Sequence, residues 1–182
     1  MFNSICRWFF SAIFLLLAKI LAVFLAPVGC LFVRTERHEC GIRDYAVNWF
    51  SWAVTHDAPL DEGYVGGYFK YPSTALGRWW CRVKWVWRNP AYQTAHWLGY
   101  DQTGMLLIKH KDQGHLWDTG APNFSVWTAK NSNNQIAWML EWQWYFYRNR
   151  CLEVYFGWKL HRKDPDRRCM LVARITPFKK YP

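Results

Sequence analysis

The chain has 182 residues, 14 of them tryptophan, and a formal net charge of +10. That length holds one domain plus a short appendage. Its six cysteines contain no C-x-x-C pair, which argues against a zinc ribbon or a thioredoxin-like centre, and the apolar settings of Cys81, Cys151 and Cys169 suit a reducing compartment. The positive charge is uneven. Lys70–Arg88 carries five basic and no acidic residues, and His161–Pro182 carries seven basic residues against Asp164 and Asp166, so these two stretches account for the whole excess. A basic surface interleaved with aromatic residues suits an anionic membrane or a nucleic acid. The plainer alternative is a solvated basic face.

Trp8–Val33 is nearly continuous apolar sequence and long enough to cross a bilayer. It predicts a membrane-type helix with Trp8, Phe9, Phe10, Leu15, Leu16, Leu17, Lys19, Leu21, Phe24 and Leu25 as anchor residues. Lys19 at mid-depth costs about 2.5–3.5 kcal/mol, which the surrounding apolar residues offset. Three readings stay open: a spanning helix with Lys19 snorkelling, an in-plane anchor broken at Ala26-Pro27, and a signal peptide. Against the last, Pro27 stands where a lipoprotein cleavage site takes an aliphatic residue, and Lys19 lies inside the apolar region. Arg34, Arg37 and Arg43 follow the segment and outnumber Arg7 before it. The positive-inside rule then expects the globular part in the cytoplasm, at the inner membrane. Residues 1–33 would be the anchor, 34–72 a connection with an acidic loop, and 73–182 an α+β domain.

The connection leads into the aromatic patch Tyr45, Trp49, Phe50 and Trp52. The loop His56–Gly67 then holds Asp57, Asp61 and Glu62. Such a cluster is the low-ranked candidate for a divalent cation or an acid/base pair. The spacing matches no EF-hand, and aspartates capping a turn explain it more simply. No catalytic residue, metal or cofactor is assigned.

Ser73–Asn89 reads as a helix, capped by Ser73 or Thr74 and ended by Asn89-Pro90. Leu76, Trp79, Trp80, Val83, Val86 and Trp87 recur at helical spacing. Arg78, Arg82, Lys84 and Arg88 flank them, and with Lys179 and Lys180 they are candidate contacts to an anionic surface. The helix either lies at a membrane interface or covers a sheet with its basic stems snorkelling. The need to cover a Trp-rich sheet face favours the second.

Beyond Pro90 the pattern is β-rich, with strands expected at Tyr92–Tyr100, Met105–His110, Ser125–Lys130 and Cys169–Ile175. His96, His110 and His115 match no metal-binding spacing. The strongest signal is a long hairpin at 136–160. Trp138, Leu140, Trp142, Trp144 and Phe146 alternate on one strand, and Leu152, Val154, Phe156, Trp158 and Leu160 on the next. That is the apolar face of a half-buried antiparallel pair. A three-residue turn at Arg148-Asn149-Arg150 would oppose Phe146 to Leu152, Trp144 to Val154, Trp142 to Phe156 and Leu140 to Trp158. A bulge would shift these pairs. The expected fold class is therefore α+β: a membrane-type helix, one amphipathic Trp-rich helix packed on an antiparallel sheet, and a long hairpin.

Three runs occur in order: Trp87-Arg88-Asn89-Pro90-Ala91-Tyr92, Tyr155-Phe156-Gly157-Trp158-Lys159-Leu160, and Ile175-Thr176-Pro177-Phe178-Lys179. With the apolar N-terminus and Pro59-Leu60-Asp61, the chain resembles a family of short tailed-bacteriophage proteins of unknown function. Gln93 departs from the glycine that follows Ala-Tyr in that family. The resemblance implies a phage origin and expression in a bacterial cell, and it carries no catalytic residues. Three functions follow. The first is a non-enzymatic, membrane-associated accessory module that binds a host or phage protein at the inner membrane, with residues after 33 folding independently. The second is a membrane- or wall-directed enzyme using Asp57, Asp61, Glu62 and histidines gathered in one pocket. The third is nucleic-acid binding through the basic aromatic surface.

Overall fold

A computed structural model describes residues 1–39, 41–55, 58–112, 123–131, 135–147, 150–161 and 168–180. The fold is α+β as expected, with an apolar N-terminal helix and antiparallel sheets. Its residues cluster into two compact units, Ile13–His96 and Met1–Ala12 with Trp97–Pro182. The first helix, α1 (Phe2–Gly29), contributes its opening turns to the second of these and the rest to the first. It runs unbroken through Ala26-Pro27, where an interruption was one of the open readings.

Within Ile13–His96, the expected connection is ordered structure. A hairpin of β1 (Val33–His38) and β2 (Gly41–Ala46) is followed by a 3-10 helix at Asn48–Ala53 and the short α2 (Glu62–Val65). The Trp-rich helix α3 (Ala75–Arg88) begins as anticipated, with the Thr74 hydroxyl accepting from Gly77 N–H at 3.0 Å. Its buried residues are Cys81, Val83, Trp85 and Val86, while Leu76, Trp80 and Trp87 are exposed. Of the stripe read from the sequence, Val83 and Val86 are buried, while Cys81 and Trp85 are buried where Trp80 and Trp87 were expected. Two tryptophans of α3 explain how α1 tolerates Pro27. Proline has no N–H to give the carbonyl four residues back, so Val23 O loses its helical partner. Trp87 Nε1 donates to Val23 O at 3.0 Å, and Trp79 Nε1 donates to Pro27 O at 2.9 Å in the last turn, where carbonyls also lack partners. Gly29 permits a close approach here, since a Cβ on it would lie 2.6 Å from the Phe50 ring.

Tyr92–Trp97, expected as the start of a strand, is the short helix α4. Six residues are too few for periodicity to separate helix from strand. After Pro90, Ala91 adopts φ 52°, and the N–H groups of Ala91 and Gln93 donate to Ala53 O and Val54 O, each at 2.8 Å. The chain is fixed by these bonds rather than by a strand ladder.

Within the other unit, β4 (Leu106–Asp112), β5 (Asn123–Lys130), β6 (Ile136–Tyr147), β7 (Arg150–Trp158) and β9 (Leu171–Lys180) form an antiparallel sheet in the order β4-β5-β6-β7-β9. Two short strands, β3 (Tyr100–Asp101) and β8 (Arg168–Cys169), pair separately. In the long hairpin Leu140 opposes Phe156, Trp142 opposes Val154 and Trp144 opposes Leu152. These pairs keep the expected faces but slide the register by two residues. One residue of the slide comes from an irregularity between Tyr145 and Tyr147 that leaves Phe146 unpaired, and the other from Tyr147 pairing with Arg150 and not with Cys151. Arg150, expected as the last residue of a three-residue turn, is instead the first residue of β7, and Arg148 and Asn149 lie outside the described residues.

The burial of this sheet departs in part from the amphipathic reading, since Trp158 and Leu160 of the expected apolar face are buried but the far end of that face is not. Trp142, Trp144 and Phe146 are exposed, while Ala137, Met139, Glu141, Gln143, Cys151, Glu153 and Tyr155 on the opposite face are buried. Small residues allow close packing there, with Ala129, Ala137 and Ser125 fully buried. Among the described residues of this unit, the half of the aromatic face near Trp138 is covered by the first turns of α1 and by Tyr100, whose ring lies 4.8 Å from Trp158. The Ser4 hydroxyl donates to Ile136 O, Trp8 Nε1 donates to Val172 O at 3.0 Å, and the Trp8 ring lies 5.2 Å from Trp138 and 5.5 Å from Phe156. The cover sought for the sheet's tryptophans is therefore α1, and α3 belongs to the other unit.

Candidate membrane-facing surface

The anchor residues fall on a helix with two unlike sides. Helical periodicity brings Leu15, Ala18, Ala22 and Ala26 to one buried stripe, three or four residues apart, mostly small. Phe9, Phe10, Leu16, Leu17, Leu21 and Phe24 are exposed, Leu25 and Lys19 are half-buried, and Trp8 is held on the sheet. Only 17% of the most apolar window, of mean hydropathy 2.5, is buried. The helix thus presents a broad apolar face that the protein itself does not cover. Among the described residues, it is the one helix long and apolar enough to cross a membrane.

The basic candidates on α3 are disposed differently from one another. Arg82 turns inward and pairs with Asp44, its side chain 12% exposed. Lys84 Nζ lies 4.6 Å from the Phe69 ring centroid, Arg88 is exposed over the Tyr68 ring at 4.6 Å, and Arg78 is half-buried. Of these four cations Arg88 is the exposed one. The side chains of Lys179 and Lys180 lie outside the described residues.

The acidic loop is organised by an arginine that the sequence did not single out. Arg43 Nε donates to Asp61 Oδ1 at 2.9 Å and its Nη2 donates to Glu62 Oε2 at 2.6 Å. Asp61 Oδ2 also accepts from Asp44 N–H at 3.2 Å, and Leu60 N–H donates to Asp44 O at 2.7 Å. Burial works against the charge on Arg43, but the hydrogen bonds to Glu62 and Asp61 outweigh it and hold the guanidinium above its ordinary pKa. Tyr64 beside them is pushed up by burial, opposed by Arg82. Asp61 is thus occupied as the counter-ion that ties β2 to the start of α2. Asp57 lies outside the described residues, as do His56 and His115. His110 Nε2 meets Thr128 Oγ1 at 2.9 Å. Among the described residues no group of three or more His, Cys, Asp or Glu is placed to hold a metal ion.

The buried polar group on the sheet was also missed. Gln143 Nε2 donates to Glu141 Oε1 and Glu153 Oε1, both at 3.1 Å, and Arg174 Nη2 meets Glu153 Oε2 at 2.5 Å. These side chains satisfy one another across β6, β7 and β9, which is what lets carboxylates sit inside a sheet layer. Polar residues directly opposite one another across the hairpin were the available signal. They were read as the wet face because larger apolar side chains occupy the other.

A family model matches the chain from residue 1 to residue 182. The chain belongs to the family of unknown function DUF7338. No curated protein and no solved structure matches it. The family supplies no activity, and the reading of the surface rests on the residues themselves.

Proposed function

We propose that this protein is a non-enzymatic interaction module held on a membrane by α1, which lies along the surface of one leaflet instead of crossing it. The carrying observation is that both ends of α1 bond to chain that follows the helix. Ser4 and Trp8 bond to Ile136 and Val172, and Val23 and Pro27 accept from Trp87 and Trp79. A crossing helix would place its two ends on opposite sides, and among the described residues no second crossing helix returns the chain. Lying in the plane, α1 keeps these bonds and submerges its outer face, as interfacial helices do. Fully burying a side chain such as Phe9 or Leu17 is worth roughly 1.5–3 kcal/mol, so several partly submerged ones suffice for a stable anchor. The phage resemblance supplies the setting, the cytoplasmic side of the inner membrane of an infected bacterium, with a host or phage protein as partner.

Fractionation of cells making the full chain tests the anchor. The protein should pellet with membranes, resist high salt and be released by detergent. Recovery wholly in the soluble fraction without detergent would end the proposal. Tags at the two termini test the orientation. In right-side-out and inverted vesicles both should be reached from the same side, whereas opposite sides would mean a crossing helix. A detergent pull-down from infected cells would identify the partner.

A further inference from the structure

The half of the sheet's aromatic face that α1 leaves uncovered forms a ridge. The Trp142 and Trp144 rings are nearly parallel, 7° apart with centroids at 6.2 Å. Phe146 continues the row at 6.3 Å from Trp144, and Phe178 of β9 at 5.9 Å from Phe146. Their exposures are 38%, 48%, 41% and 66% in that order. A contiguous apolar surface of this kind marks a site of contact. Its position relative to α1 narrows the partner. Trp8 sits on Trp138 and Phe156, and Phe156 opposes Leu140, one pleat from Trp142 on the same side of β6. The first turns of α1 and the ridge therefore share one side of the sheet. A helix packs with its axis roughly 8–10 Å above the layer beneath it, and a standing indole reaches most of that distance. The ridge then comes to about the height of the α1 axis, which for an interfacial helix is the headgroup level that tryptophan prefers.

The charges on this side agree. Lys111 Nζ lies 5.2 Å from the ring of Phe124, which opposes Trp142, and exposed Arg150 donates to Phe178 O at 3.2 Å. Glu141 and Glu153 are both on the opposite face, and among the described residues this side of the sheet carries no carboxylate. We propose that the ridge is a second membrane contact, inserting its rings among headgroups while Lys111 and Arg150 favour anionic lipid. It rests on the in-plane reading of α1.

The test uses the full chain and vesicles of phosphatidylcholine alone or with 30% phosphatidylglycerol. Trp142→Ser/Trp144→Ser/Phe146→Ser should keep a cooperative melting transition, at a lowered Tm because these rings are only partly exposed, and lose at least tenfold in partitioning to the anionic vesicles. Phe9→Ser/Phe10→Ser/Leu17→Ser should lose binding to both kinds. A dye on Trp144→Cys, in a Cys6→Ser/Cys40→Ser background, should shift to the blue when anionic vesicles are added. If the ridge variant partitions like the wild type and the dye does not shift, the ridge proposal is overturned while the anchor stands. If the α1 variant binds like the wild type, the anchor reading itself falls. Loss of self-association or of single-stranded DNA binding in the ridge variant, with vesicle binding unchanged, would likewise overturn lipid as the occupant.

Discussion

Trp8→Ala separates a helix lying on the protein from one leaving it. Trp8 is half-buried, donates to Val172 O at 3.0 Å and packs against Trp138 and Phe156. The hydrogen bond is worth about 1 kcal/mol and each ring pair about 0.5–1.5 kcal/mol. Fully buried tryptophans cost roughly 3–5 kcal/mol on truncation, so a half-buried one with these partners should cost about 3 kcal/mol. For a chain of this length each kcal/mol lowers Tm by about 2–4 °C, giving a drop of roughly 6–12 °C. The assay is a near-UV circular dichroism melt of the full chain in mild detergent. Phe9→Ala, 53% exposed on the same helix, is the control and should change stability by no more than about 0.5 kcal/mol. A Trp8→Ala protein that melts with the wild type would refute the seating of α1 on the sheet.

Gly157→Ala should be among the most damaging single changes. Gly157 has φ 102° and a Cβ there would lie 2.1 Å from Trp138 O, so strain and a backbone clash together should cost about 3 kcal/mol or more, read by denaturant unfolding. Asp61→Asn leaves Arg43 buried without a full partner and should destabilise by about 3–5 kcal/mol, whereas an equal loss is not expected from Glu36→Gln, whose partner Arg34 is exposed. Burial pushes the Cys30 thiol up to about 12 and the Cys169 thiol up to about 11 from an ordinary 9.0. The unfolded chain ionises these thiols near 9 and the folded chain only later. Their contribution to stability is therefore full below pH 9 and is lost as pH rises through 11 to 12. Mass-spectrometric alkylation at pH 8 should accordingly modify Cys6 well before either, and fast native modification of Cys30 would contradict its burial.

The parts legible from the sequence were those governed by local chemistry. Thr74 capped a helix and Asn89-Pro90 ended it, and alternation in Trp138–Phe146 and Leu152–Trp158 fixed which residues share a face. Which face would be buried did not follow. Burial depends on what arrives from elsewhere, here the first turns of α1 on Trp138 and the mutual satisfaction of Glu141, Gln143 and Glu153. The hairpin register slipped by two, one residue through the irregularity at Phe146, which has no signature in side-chain type, and one because Arg150 pairs with Tyr147 and does not belong to the turn. The β1–β2 hairpin was missed because Val33–Ala46 is charged and lacks alternation. Arg43 was counted for membrane orientation, since nothing in its neighbours announces that it pairs with a loop 18 residues on.

The bond between Trp8 and Val172 spans 164 residues. A ribosome adding about 5–20 residues per second makes the second partner roughly 8–33 s after the first. Until Trp79 and Trp87 are made α1 is a bare apolar helix, and its first turns stay without the sheet for the whole interval. On the proposed in-plane reading of α1, that placement would be decided by a race. Either the sheet closes on Ser4 and Trp8 in time, or the helix commits to the bilayer core. Slowing translation, or delaying β9 by a slow-folding substitution, should shift molecules from one topology to the other without altering any residue of the helix.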